Sequence, residues 1–129
     1  MLKNFEYDPT SEDADFLLEV INKESSNLNE YFLFHLDVIN QSLIRLKEKP
    51  NSAVQISSAK EMFEVYLLSD KVLTLMSKKR KSIKLKSSEV ESIKINSKSI
   101  VNGIEKVVEL NKEHLIKFDA LTFFIYLAS

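Results

Sequence analysis

The chain has no cysteine and no tryptophan, a single glycine (Gly103) and only two prolines (Pro9, Pro50) among its 129 residues. Without cysteine there can be no disulfide, no thiolate zinc site and no cysteine nucleophile. The same absence suits a reducing compartment, and a cytoplasmic location is the expectation. With one glycine there is neither a glycine-rich phosphate loop nor a serine nucleophile elbow. The scarcity of glycine and proline also bears on the fold. Sandwiches and doubly wound sheets need frequent turn punctuation, and long helices do not. An all-α fold is therefore expected. Long apolar runs are lacking too. The opening "MLKNFEYDPTSEDADF" has no apolar core of the kind a secretory signal carries. The longest apolar run, "LTFFIYLAS", falls well short of the ~20 residues of a membrane span.

What is present is a 44% hydrophobic chain, enough for a core of its own and of a length that fits one domain over residues 1–129. Lysine outnumbers arginine 16 to 2, a bias that fits an AT-rich bacterial genome or a phage. The net charge is −1, but residues 1–70 hold 13 acidic against 6 basic side chains, and residues 71–88 hold 7 basic and no acidic ones. The molecule is polarised along its sequence.

Helical spacing organises the chain. Thr10 with Asp13 reads as the start of a first helix, and Glu12, Asp13 and Asp15 suit its positive end. Leu18, Ile21, Leu28, Phe32, Ile39 and Leu46 follow at three- and four-residue steps, with Ser25, His35 and Ser42 in the gaps. One continuous helix to Lys49 would run roughly 57 Å. A break at "NKESSNLNE" is the alternative, and continuity is preferred. Pro50 ends this segment. Ser52 with Gln55, or Ser58 with Glu61, restarts the helix. The next body buries Met62, Val65, Ser69, Val72 and Met76, with Phe63, Tyr66 and Leu73 alongside, and ends in the cations Lys78 to Lys81. Ser88 with Glu91 opens a last helix running into the 120s, its face formed by Ile93, Ser97, Ile100, Ile104 and Val107. The expected architecture is an elongated antiparallel bundle of three to four helices, two long ones flanking a medium one. Locally, "SIKLKS" and "SIKINS" alternate as strands do, so a short β-hairpin near 82–97 is the competing reading.

Catalysis finds no foothold. The two histidines, His35 and His114, follow Phe32 and Asn111 at three residues rather than the glutamate that a bundle metal site uses, so no metal or cofactor is expected. Glu105, Glu109 and Glu113 make a ladder, but Lys106, Lys112 and Lys117 beside it argue for a solvated face. The sharpest chemical signal is "SKKRKSIKLKSS", residues 77–88. Its Lys78, Lys79, Arg80, Lys81, Lys84 and Lys86 can hold phosphates of a nucleic acid or an anionic membrane by charge. One arginine and no aromatic give little means of reading bases or stacking on them. A helix end and a soluble connector explain the same residues more simply. Folding against the acidic first 70 residues, or pairing with them across a dimer, is a further use.

The tail "FDALTFFIYLAS" carries more apolar side chains than one stripe of a surface helix needs. Phe123, Phe124, Tyr126 and Leu127 are the expected contact with a partner or a second copy, against simple insertion into the core. The function expected is a non-catalytic, helical protein-binding module. Immunity proteins, antitoxins, secretion chaperones and anti-defence inhibitors are the types it suits. Its partner is another protein, a basic one by charge, or itself as a homodimer; the anion-binding reading of 78–86 is the alternative.

Overall fold

The computed structural model describes residues 7–48 and 53–110. They form α1 (Glu12–Lys23), α2 (Ser25–Glu48), α3 (Ala53–Lys78), a 3-10 turn at Arg80–Ser82 and α4 (Ser87–Leu110), with no strand among the described residues. The all-α expectation holds.

The entry to α1 differs from the capping pair expected. The Asp8 carboxylate accepts the Thr10 N–H at 3.0 Å and the Thr10 hydroxyl at 2.7 Å, which makes a tight turn around Pro9. Thr10 is thereby occupied, and the extended residue before the helix is Ser11, whose hydroxyl donates back to the Asp8 carbonyl at 3.0 Å rather than capping α1. Glu12, Asp13 and Asp15 fill the first turn as expected.

The single long first helix is not formed. Glu24 leaves helical geometry at φ −122° and ψ 30°, and the chain changes direction there. Its N–H still reaches the Val20 carbonyl (2.7 Å), and its own carbonyl accepts the Leu28 N–H (2.8 Å). The i to i+4 pattern is thus kept on both sides of Glu24. The Asn27 amide donates to the Glu24 carboxylate. Tyr7 lies by Lys71 of α3, with Nζ 5.6 Å from the ring centre, and Asn22 lies by Ser82 beyond the end of α3. Helix α1 therefore runs in the direction of α3 before α2 turns back. A continuous helix would have carried Ala14 and Leu17 off the bundle; the corner buries both, together with Ile21. That burial, on the order of 1.5–3 kcal/mol for each large side chain, outweighs the few helical bonds at stake.

The remaining helices form the core. His35 of α2 faces Glu61 of α3, and Tyr66 of α3 lies by Glu105 of α4, so α3 runs against both neighbours. Helices α2 and α4 run side by side in the same direction: Ser25 donates to Glu89 at 3.1 Å, Asn96 donates to Asn29 at 3.0 Å, and Leu36 and Ile39 pack over Gly103. These three helices span 24, 26 and 24 described residues; the corner shortens the first of the two expected long helices, and the expected run of α4 into the 120s lies outside the described residues. Met62, Val65, Ser69, Val72 and Met76 are buried on α3, and Ile93, Ser97, Ile100, Ile104 and Val107 on α4. Leu75 joins them, while Leu73 is only half-buried. Helix α3 begins at Ala53, in line with the earlier restart.

The hairpin reading of 82–97 is wrong. Ile83 is buried just after the 3-10 turn, and Val90 and Ile93 are buried at helical spacing while Ile95 faces out. Two strands would have put Ile93 and Ile95 on the same face. The cap of α4 also lies two residues earlier than Ser88 with Glu91: the Glu89 carboxylate accepts the Lys86 N–H at 3.3 Å.

Candidate functional site

Helix α2 carries the run "YFLFHL" at residues 31–36. A helix turns about 100° per residue, so such a run cannot be buried on one side. The stripe Leu28, Phe32, His35 and Ile39 enters the core, with Phe32 wholly enclosed. The adjacent residues then point outward: Phe34 is 61% exposed and Leu33 56%, and Ile44, two to three turns further on, is 50% exposed. Phe16 on α1 and Ile95 on α4 are also exposed, but singly exposed apolar residues are normal on any protein. The pair on α2 is contiguous.

The surroundings of Phe34 are aromatic and acidic. Its ring meets the His35 imidazole edge to face at 5.2 Å, and Tyr31 packs on the other side of that imidazole at 4.1 Å. Nδ1 of His35 stands 3.3 Å from Oε1 of Glu61 but lacks hydrogen-bond alignment. Burial pushes the imidazole below its ordinary value, and Glu61 and then Glu64 oppose the shift. Burial raises the Tyr31 phenol, helped by Glu64 and Glu61. Glu30 and Asp37, within one turn of Phe34 on its own helix, are exposed. No basic residue occurs between Glu24 and Ile44.

The basic stretch lies at the opposite chemical pole and is built into the fold. The amide of Asn22 donates to the Ser82 carbonyl at 3.2 Å and accepts the Lys84 N–H at 2.7 Å. Arg80 donates from Nη1 to the Ile83 carbonyl at 3.3 Å, so its guanidinium is already engaged. Lys78, Lys81, Lys84 and Lys86 are exposed, and Lys79 is half-buried. Only Lys78 falls in the last turn of α3, because the 3-10 turn follows. Among the described residues no ion pair engages any of the six cations. Among the described residues the expected contact with the acidic first 70 residues is seen at Asp8: the Thr10 N–H and hydroxyl chiefly hold its carboxyl below the ordinary value, with Lys79 adding a smaller pull.

The other sequence candidates divide cleanly. Phe123, Phe124, Tyr126 and Leu127 lie outside the described residues, as do Glu113 and His114. Glu105 and Glu109 are exposed. Burial and then Glu105 raise the carboxyl of half-buried Asp70. Among the described residues, no group of three histidine or carboxylate side chains is placed to hold a metal ion, and no helix is long and apolar enough to cross a membrane. Sequence reasoning missed Leu33 and Phe34. The signal was available, since "YFLFHL" overfills one helical stripe just as "LTFFIYLAS" does. No protein-family model, curated protein or solved structure matches this chain.

Proposed function

We propose that the chain is a non-catalytic helical module that acts by binding another protein. The observation that supports this most is the outward pair Leu33 and Phe34 on α2, each more than half exposed. Aromatic anchors of this kind dominate the energetics of protein interfaces, and a small domain rarely leaves adjacent large apolar groups in water without a use. An immunity protein, antitoxin, secretion chaperone or anti-defence inhibitor, working in the cytoplasm of a bacterium or during phage infection, is the type of protein that fits. Phe123, Phe124, Tyr126 and Leu127 are a second apolar contact in the same reading, toward the partner or toward a second copy.

The experiment is affinity purification of the full chain from its native host, beside Leu33→Asp with Phe34→Asp and beside Lys79→Glu with Arg80→Glu. A stoichiometric protein retained by the wild type and the basic-stretch variant, and lost with the α2 variant, is expected. Recovery of no partner, or of one indifferent to Phe34, overturns the reading. One observation favours a second reading. The lysines at 78, 81, 84 and 86 are exposed and without ion pairs among the described residues, as a polyanion contact would require. Strong, salt-sensitive retention on heparin that Lys81→Glu with Lys84→Glu abolishes would put this reading first.

A further inference from the structure

We infer that the outer face of α2 around Phe34 takes a cationic amphipathic helix of a partner protein. The inference rests on the protein-binding reading above and names the chemistry of the partner. An amphipathic helix laid on such a face needs apolar anchors spaced within two turns and a rim of opposite charge. Phe34 and Tyr31 supply the anchors, Tyr31 extending the patch toward α3 beside the His35 ring, while Leu33 lies about 100° further round the helix as an outlying apolar contact. The rim is acidic on both sides. Glu30 and Asp37 border Phe34 and Tyr31 on the side toward Leu33, while Glu61, beside His35, and Glu64 border them from α3.

Charge decides between occupants. A second copy docking through the same face would bring Glu30 and Asp37 toward the same carboxylates of its partner, a like-charge juxtaposition that isologous symmetry imposes. The chain's own residues 111–129 hold two lysines, a glutamate and an aspartate, and so provide no net complement. A polyanion is repelled outright. A helix with lysine or arginine on its polar face satisfies both the anchors and the rim.

The test is calorimetric titration of the full chain with three synthetic 18-residue peptides. One has leucines at i, i+3, i+4 and i+7 with lysine elsewhere, one has the same composition in scrambled order, and one has glutamate for lysine. The lysine helix is expected to bind, with the scramble and the glutamate helix weaker by roughly tenfold or more. Phe34→Ala with Leu33→Ala should weaken the lysine helix by a similar factor without altering the melting temperature, since both residues face solvent. Glu30→Gln with Asp37→Asn should weaken it severalfold at low salt and little at high salt. Equal binding of the scramble, binding of the glutamate helix, or indifference to the Phe34 variant overturns the inference. So does a dimer that sedimentation shows to depend on Phe34. If no peptide binds while the host partner still depends on Phe34, the cationic helix is overturned and the binding reading stands.

Discussion

Phe32 and Phe34 are two residues apart on one helix and lead opposite lives. The first is completely enclosed in the core; the second is 61% exposed. Nothing in side-chain chemistry separates them, and the 200° between their directions on the helix does. An identical aromatic contributes to folding on one side of α2 and is available for recognition on the other. The comparison can be broken most directly by truncating each ring. Phe32→Ala should cost about 3–5 kcal/mol, the range for removing a buried phenylalanine. Phe34→Ala should stay within about 0.5 kcal/mol of the wild type, as surface substitutions do. Urea melts of the two variants would check this, and a large loss from Phe34→Ala would mean that its ring is covered.

The same contrast extends to the two polar ends of the molecule. The acids around Phe34 face solvent on an unbroken helix, whereas the cations of 78–86 ride on a connector pinned from beneath by Asn22. Asn22→Ala deletes both bonds to that connector, at Ser82 and Lys84. A loss of about 1–2 kcal/mol is expected, the scale of two partly solvated hydrogen bonds. Amide exchange at Lys84 should accelerate with it. Unchanged exchange would show that the connector is held by Ile83 burial and the Arg80 bond alone.

These two comparisons show where the sequence was legible. Positions governed by helical period came through: every residue expected on the core face of α4 is buried, as are Met62 through Met76 on α3. His35 is buried on the seam as its spacing requires, but the hydrogen bond expected of such a residue is not made at Nδ1. What failed was tertiary. Glu24 is an ordinary helix former, and it is the burial of Ala14, Leu17 and Ile21 against the bundle that bends the chain there. Asn22 and Glu89 act through residues some sixty positions away, and no local pattern announces that. The outward pair on α2 went unread for a different reason. Leu33 and Phe34 stand off the three- and four-residue steps of the seam, so a reading along those steps passes over them.

The seam between α2 and α4 allows a gain rather than a loss. Gly103 lies mid-helix, and a Cβ placed there would stand 3.7 Å from Leu36 Cδ1 and 4.0 Å from Ile39 Cγ2, ordinary contact distances. Gly103→Ala should therefore stabilise by about 0.5–1 kcal/mol, the helix-propensity difference. A fall in stability would show α4 packed more closely on α2 than the inner face of Phe32 requires. The outer face should be indifferent to it, and binding through Phe34 should be unchanged.

His35 sits on the border between the two faces, its ring buried while both aromatic neighbours, Tyr31 and Phe34, are exposed. Its folded value is depressed, by burial first, with Glu61 and Glu64 opposing. The unfolded chain therefore takes up the proton earlier as pH falls. Stability is present in full above the ordinary histidine value of about 6.5 and declines as pH falls from there toward the lower folded value. His35→Gln should flatten that decline between pH 7.5 and about 5.5, above the range where free carboxylates titrate. Two carboxylates of α3, Glu61 and Glu64, oppose the shift, so the effect should be the smallest of the four, about 2 °C in melting temperature. His114 is the other histidine of the chain, and His114→Gln is the control that should leave the slope attributed to His35 in place. A wild type more stable at pH 5.5 than at 7.5, with the difference lost in His35→Gln, would reverse the sign. Glu61 would then be holding a protonated imidazole, and the ring beneath Phe34 would belong electrically to the acidic outer face rather than to the core.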